Sequence, residues 1–374
     1  MPFLAACQSF PMPALADLLH AALGTAPCGR LDFARVMDLA LYHPHHGYYG
    51  PGPRRIGRSG DFYTAVSVGP LYGRLLADLA RQVRLDRGAP EDFIVIEQAA
   101  HDGQLAADLL AAGDCDLWLV EPNPRYEAVQ RQRLEAFAGR VHWVSRLADL
   151  PAVPALFICN ELPDAMPVHL LRWSAGAWRQ LCVEADPAGS FRFTEAGIDD
   201  PRLAAEAARL PTDLAEGHTV EIGLAALDWL TELAQAPFHG RVWIADYGLD
   251  ADERRAPERQ AGTLRRYRGH QCDDRVLEDL GECDLTAHVD FSRLREQAAA
   301  CGFVEHGYDL QGRRLARMAI DWLRSLEGSP PDPAHLRQYH SLTHPAFLGR
   351  SFRVLELDKP RQKGSRISNL KFEI

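Results

Sequence analysis

The sequence predicts an α/β fold, a single domain with insertions, in which short apolar strands are interleaved with helices. Two observations carry this. First, residues 93 to 121 run strand, tight turn, helix, strand, acid. Phe93–Ile96 is rich in β-branched residues and Gln98–Gly103 is a turn. Gln104–Ala112 is an Ala/Leu stretch at helical spacing, and Leu117–Val120 is a second apolar run that ends in Glu121. Second, further apolar runs recur at 140–144, 155–159 and 239–248, with helical stretches between them. The first unit has the outline of a Rossmann-like nucleotide-binding βαβ motif. A turn at a helix start lets a ligand approach backbone N–H groups, and an acid about 24 residues after Glu97 (121 − 97) sits where a ribose hydroxyl pair would bind. Such a turn is expected to read G-x-G-x-G, and here those places hold Ala99, His101 and Gly103. Alanine is tolerable there at negative φ, and His101 puts a ring where bare backbone usually meets ligand.

Taken in order, residues 13–23 and Leu31–Leu41 form two amphipathic helices, with Phe33, Val36, Met37 and Ala40 on one face of the second. They read as an N-terminal cover over a cleft. Residues 42–79 are too aromatic for a linker and form an ordered loop before a helix resumes near Pro70. His43, His45 and His46 lack a partner acid or thiol at ligand spacing, so they are read as solvent-facing and no metal site is expected. After the strand Ala155–Cys159 come Asn160, Glu161 and Asp164. Ligands bind beyond the carboxyl ends of strands in open parallel sheets, and helix capping does not account for all three residues.

Residues 171–194 alternate as an antiparallel pair about an Ala175–Gly176 turn. Within 218–235, Glu221 stands just before a strongly periodic helix, and Asp246 and Tyr247 lie at the carboxyl end of the strand 239–248. The charged segment 250–262 is read as a mobile loop. Tyr267, His270, Asp284, His288 and Asp290 then bring functional residue types together. A helix at 292–300 stops at Gly302–Phe303, another spans 315–326, and a final strand spans 351–357.

The 374 residues are 47% hydrophobic and 25% charged, ordinary for a globular protein, and carry a net charge of −10, which disfavours nucleic-acid partners. The eight cysteines contain no C-x-x-C pair, which points to a reducing compartment. No apolar run approaches the ~18 residues that span a bilayer, so no membrane partner is expected. The first twenty residues lack an early Lys or Arg. The expectation is a cytoplasmic protein.

MDLALYHPHHGYYG, RSGDFYTAVSVGPLYG, NELPDAMPVH, WIADYG, GTLRRYRGH and DLTAHVDF follow in an order and spacing that resembles the MidA-like methyltransferases, over roughly residues 30–310. These use S-adenosylmethionine (SAM), and a mitochondrial member assists respiratory complex I assembly by methylating an arginine. The resemblance implies a class I methyltransferase fold, a seven-stranded, mostly parallel sheet whose last strand is antiparallel. It divides the chain into a cover, 1–80, and a Rossmann-like domain, 81–374, with inserts near 171–217 and 250–290. It implies a protein substrate, with a respiratory-complex subunit as candidate; the oligomeric state stays open. By position, Gly60, Asp61, Phe62 and Thr64 belong to a loop closing on SAM. Glu97, His101 and Gly103 form the glycine loop, and Glu121 holds the ribose. Asn160, Glu161 and Asp164 face the methyl group and acceptor, with Glu221 and Asp246 as supporting acids. Two rivals share the βαβ signature: a binding or assembly protein that keeps the fold without efficient turnover, and a nicotinamide dehydrogenase.

Overall fold

The computed structural model describes residues 14–53, 64–254, 256–269, 271–327 and 332–361. Apolar runs flanked by turn formers become the strands of the main sheet: β1 (Ile94–Gln98), β2 (Asp116–Val120), β3 (Val141–Val144), β4 (Pro154–Asn160), β5 (His239–Leu249), β6 (Val304–Leu310) and β7 (Phe352–Lys359). Their spatial order is β6-β7-β5-β4-β1-β2-β3. The pairings β5–β4, β4–β1, β1–β2 and β2–β3 are parallel, whereas β7 runs antiparallel to both of its neighbours. This is the seven-stranded class I methyltransferase sheet that the sequence resemblance implies. A two-residue ladder, Val289–Asp290, extends it beside the end of β5.

Both faces are covered, as a parallel sheet requires. One is packed by the helices Leu71–Asp86 and Gln104–Ala112 and by a helical group between β6 and β7 that includes Gln311–Met318 and Pro333–Thr343. Leu224–Gln235 and Phe291–Ala300 pack the other. The 315–326 helix predicted from the sequence is broken near Ala319 into Gln311–Met318 and Ile320–Arg324.

A second hydrophobic core lies over the carboxyl ends of the main strands. The helices Leu15–Thr25 and Phe33–Tyr42 pack there on the strands His169–Ser174 and Ala177–Ala185, with Leu264, Val276 and Leu285 from the later insert. The Ala175–Gly176 turn has φ of 50° and 77°, the doubly left-handed geometry that matches a twisted two-residue hairpin. The segment 250–262 is not the mobile loop its charge suggests. Ala251–Arg254 is a helical turn, and the Arg254 guanidinium is buried against Asp290 and the Glu221 carbonyl. Arg266 is likewise buried, paired with Asp273.

Candidate active site

Between the sheet's carboxyl end and the second core lies a cavity of about 1400 Å³, above the usual 300–1,000 Å³ of small-ligand pockets. At one end β1 delivers Glu97, which is 3% exposed, and its Oε2 finds no hydrogen-bond partner among the described residues. Burial, with Asp102 and Asp108 adding repulsion, pushes this carboxyl up to about 8. In the turn that follows, Ala99, His101 and Gly103 have φ of 65°, 48° and 82°. Ala99 therefore does not meet the condition of negative φ under which alanine is readily tolerated: all three glycine places keep the left-handed backbone, two of them with a Cβ. The His101 ring does not fill the cavity. It packs edge-to-face on Tyr126 at 5.6 Å between centroids. Glu121, at the end of β2, accepts hydrogen bonds from the Asn123 N–H and the Gln130 side-chain amide, both at 2.9 Å. Burial raises its pKa.

The other end is acidic and aromatic. Asn160 and Glu161 continue from β4, and a chain of hydrogen bonds holds them. The Trp243 indole N–H donates to the Tyr72 hydroxyl (3.4 Å), Tyr72 donates to Asn160 Oδ1 (2.9 Å), and Asn160 Nδ2 donates to Glu161 Oε1 (2.9 Å). Glu161 itself has φ of 54°, a backbone state that L-residues adopt at a cost. Burial and the neighbouring Asp164 push its carboxyl up to about 8. Asp164 sits on a short 3₁₀ turn that has no side-chain cap, so capping does not explain the acid cluster. Burial lifts it to about 6, and its Oδ1 has no partner among the described residues. Beneath it Asp246 is fully buried and accepts the Asp164 N–H at 3.1 Å. Burial and the charges of Asp164 and Glu161 raise Asp246 furthest, so of this pair Asp246 keeps its proton.

Of the residues singled out from sequence, Thr64, Glu97, His101, Gly103's neighbours, Glu121, Asn160, Glu161, Asp164 and Tyr247 lie at the cavity wall. Thr64 and Ser67 bond reciprocally there, the Thr64 N–H to Ser67 Oγ and the Ser67 N–H to Thr64 Oγ1. Gly60, Asp61 and Phe62 fall outside the described residues, as does His270. Glu221 is not brought to the cavity wall. It lies on a strand, Thr219–Ile222, that the sequence reading missed, and its Oε1 accepts the N–H groups of Thr263 and Leu264. Asp290 caps the helix Phe291–Ala300. Tyr42, Tyr49 and Asp284 join the acidic end, with the Tyr49 hydroxyl donating to Asp284 at 2.9 Å. Asp284 was singled out from sequence, as were Tyr267 and His288, which also line the cavity; Tyr42 and Tyr49 were not, because only long-range packing places them. Among the described residues no group of three or more His, Cys, Asp or Glu is arranged to hold a metal ion.

Residues 73–309 match the family model described as "Putative S-adenosyl-L-methionine-dependent methyltransferase". The chain belongs to this MidA-like methyltransferase family. A crystal structure of a family-like protein from Burkholderia thailandensis bound to S-adenosyl-homocysteine superposes with a TM-score of 0.83 at 29% identity, covering 95% of this chain and 96% of that one. The mitochondrial protein arginine methyltransferase NDUFAF7 of Mus musculus is 30% identical over 92% of this chain and 84% of its own. That of Danio rerio is 28% identical over 91% and 86%. The expectation of a cytoplasmic location does not stand, because these curated relatives are named as mitochondrial. The lack of a C-x-x-C pair, on which that expectation rested, does not distinguish one compartment from another.

The cofactor of a MidA-like methyltransferase is SAM, and the residues present suit it. The cavity stays open past the His101 ring, Glu121 stands at the wall beyond β2, and Glu97 offers an unpartnered buried oxygen to a cationic ligand. The antiparallel β7 between β5 and β6 is the methyltransferase arrangement and leaves the dehydrogenase reading without support.

Proposed function

We propose that this methyltransferase modifies an arginine side chain of a protein substrate. The observation that supports the reading is the chemistry of the acidic end. Glu161, Asp164 and Asp284 line it beside Tyr42, Tyr49 and Tyr247. Arg125 is the one arginine or lysine among the described lining residues, and its guanidinium is committed to the Pro44 and Gly50 carbonyls. A guanidinium arrives charged, with five N–H donors in a planar fork that suits paired carboxylates and aromatic faces. The arginine methyltransferase names of the curated relatives support the same substrate class. A respiratory-complex subunit remains the candidate protein.

In this reading Glu121 holds the ribose, while Glu97, His101, Gly103 and Thr64 surround the amino-acid part of the cofactor. SAM held there would supply an electrophilic methyl group to an in-line nitrogen, its sulfur taking the S–C bonding pair and leaving as the neutral thioether. The chain's own contribution is positioning and electrostatics. Glu161, held by the Asn160–Tyr72–Trp243 chain, orients the guanidinium and localises its charge. One N–H proton leaves the methylated nitrogen, and Asp164, beside the Tyr247 hydroxyl and lifted by burial to about 6, is placed to take it. Asp246 fixes Asp164 from below, and Glu221 supports the wall from outside the cavity.

Incubating the protein with methyl-labelled SAM and a mitochondrial protein extract should put label into methylarginine; label in lysine alone would refute the reading. Glu161→Gln should cut methyl transfer by roughly 100-fold with binding of S-adenosylhomocysteine (SAH) retained. The competing reading, a fold retained for binding alone, draws on the strained Ala99 and His101. It requires that saturating SAM give no transfer to any protein.

A further inference from the structure

Gln130 is fully buried on the helix Pro124–Arg133, among residues that the glycine-loop pattern does not include. Each of its polar atoms is used. The Trp143 indole N–H donates to Gln130 Oε1 at 3.0 Å. Gln130 Nε2 donates to the His101 carbonyl at 2.9 Å and to Glu121 Oε2 at 2.9 Å. An indole can only donate, so the amide oxygen must face Trp143. The two amide protons are then left for two acceptors, one on the glycine loop and one on the acid after β2. No other orientation of the amide satisfies all three partners.

We infer that Gln130 is a positioning residue for cofactor binding, fixing the left-handed loop at His101 and the carboxylate of Glu121 as one unit. The need follows from the turn itself. His101 holds φ of 48° with a Cβ, a state that is costly for an L-residue, so the surroundings must over-determine it. Gln130 supplies an anchor at the carbonyl of that residue. Through the same nitrogen it prevents Glu121 from turning away from the cavity. The inference rests on the cofactor site described above.

The test is calorimetric titration of SAH into the full-length protein and three variants, alongside thermal unfolding of each without ligand. Wild type should bind. Gln130→Leu fills the space without donors and should weaken SAH about 10- to 100-fold, raising KM for SAM while leaving kcat at saturating SAM within about threefold. Glu121→Ala should weaken it similarly. The double variant should lose less than the product of the two single losses, because the part of the Gln130 effect that acts through Glu121 is already gone and only the His101 anchor is lost in addition. Trp143→Phe removes only the donor that orients the amide. It should weaken SAH several-fold, which keeps the question answerable should Gln130→Leu fail to fold. A folded Gln130→Leu or Trp143→Phe with wild-type SAH affinity would overturn the inference, as would losses that multiply fully in the double variant. Absence of SAH binding by wild type would instead bring down the cofactor site itself.

Discussion

At the scale of the residue, the instructive positions are those where backbone and side chain disagree. Ala99 and His101 occupy left-handed backbone that glycine takes freely. Replacing either by glycine should relieve strain but loosen the unfolded chain, for a net gain of about 0.5–1 kcal/mol in urea unfolding. A loss at His101 would mean that its packing on Tyr126 outweighs the strain. A glycine pattern is a surrogate for positive φ, and this turn keeps the conformation without the surrogate. That is why the sequence located the loop yet left the backbone at Ala99 open. Glu161 was legible as a candidate because it closes a strand. Tyr49 was not, since it meets Asp284 from the far end of the chain, and neither was Gln130, whose burial against Trp143 and Glu121 follows from packing that no local pattern shows.

At the scale of the element, β5 meets β4 at Gly240, which pairs with Ala155 and has φ of 144°. A Cβ there would be driven into the Ala155 carbonyl, which the β-ladder holds in place. Gly240→Ala should therefore destabilise by about 2–3 kcal/mol, and an unchanged urea midpoint would show that the strands part without penalty. Tyr72, on the helix Leu71–Asp86, ties this layer to β4 and β5. Tyr72→Phe leaves Asn160 Oδ1 and the Trp243 N–H without their partner and should cost about 1–2 kcal/mol, with a several-fold fall in kcat as Glu161 loosens. The parallel core was readable because buried strands need continuous apolar runs. The Thr219–Ile222 strand was not, because four residues give no period to read. Glu221 was taken for a functional acid on chemistry alone, whereas register opposite Leu170 turns its side chain to the backbone of 263–264. The charge of 250–262 misled in the same way, since burial of Arg254 depends on partners far along the chain.

At the scale of the whole molecule, the interior acids make stability depend on pH. Glu97 and Glu161 titrate near 8 when folded against an ordinary value of 4.5, so between those limits the folded state holds more protons than the unfolded one. Stability without ligand should therefore fall as pH rises from about 5 to 8, by at most about 1.4 kcal/mol per unit for each group. Glu97→Gln and Glu161→Gln should each flatten that slope in melting curves taken at pH 5.5 and 8, and a slope unaffected by both would contradict this account. The order of the sheet has a consequence for how the protein is made. β7 is the last strand among the described residues, yet it stands between β5 and β6. During synthesis both of those strands leave the ribosome with a missing neighbour, and their open edges can be joined only when Phe352–Lys359 emerges. Until then the nascent chain carries two adhesive borders. Chaperone dependence and aggregation should thus be greatest for nascent chains stalled just short of Phe352, and should ease abruptly once Lys359 has cleared the exit tunnel.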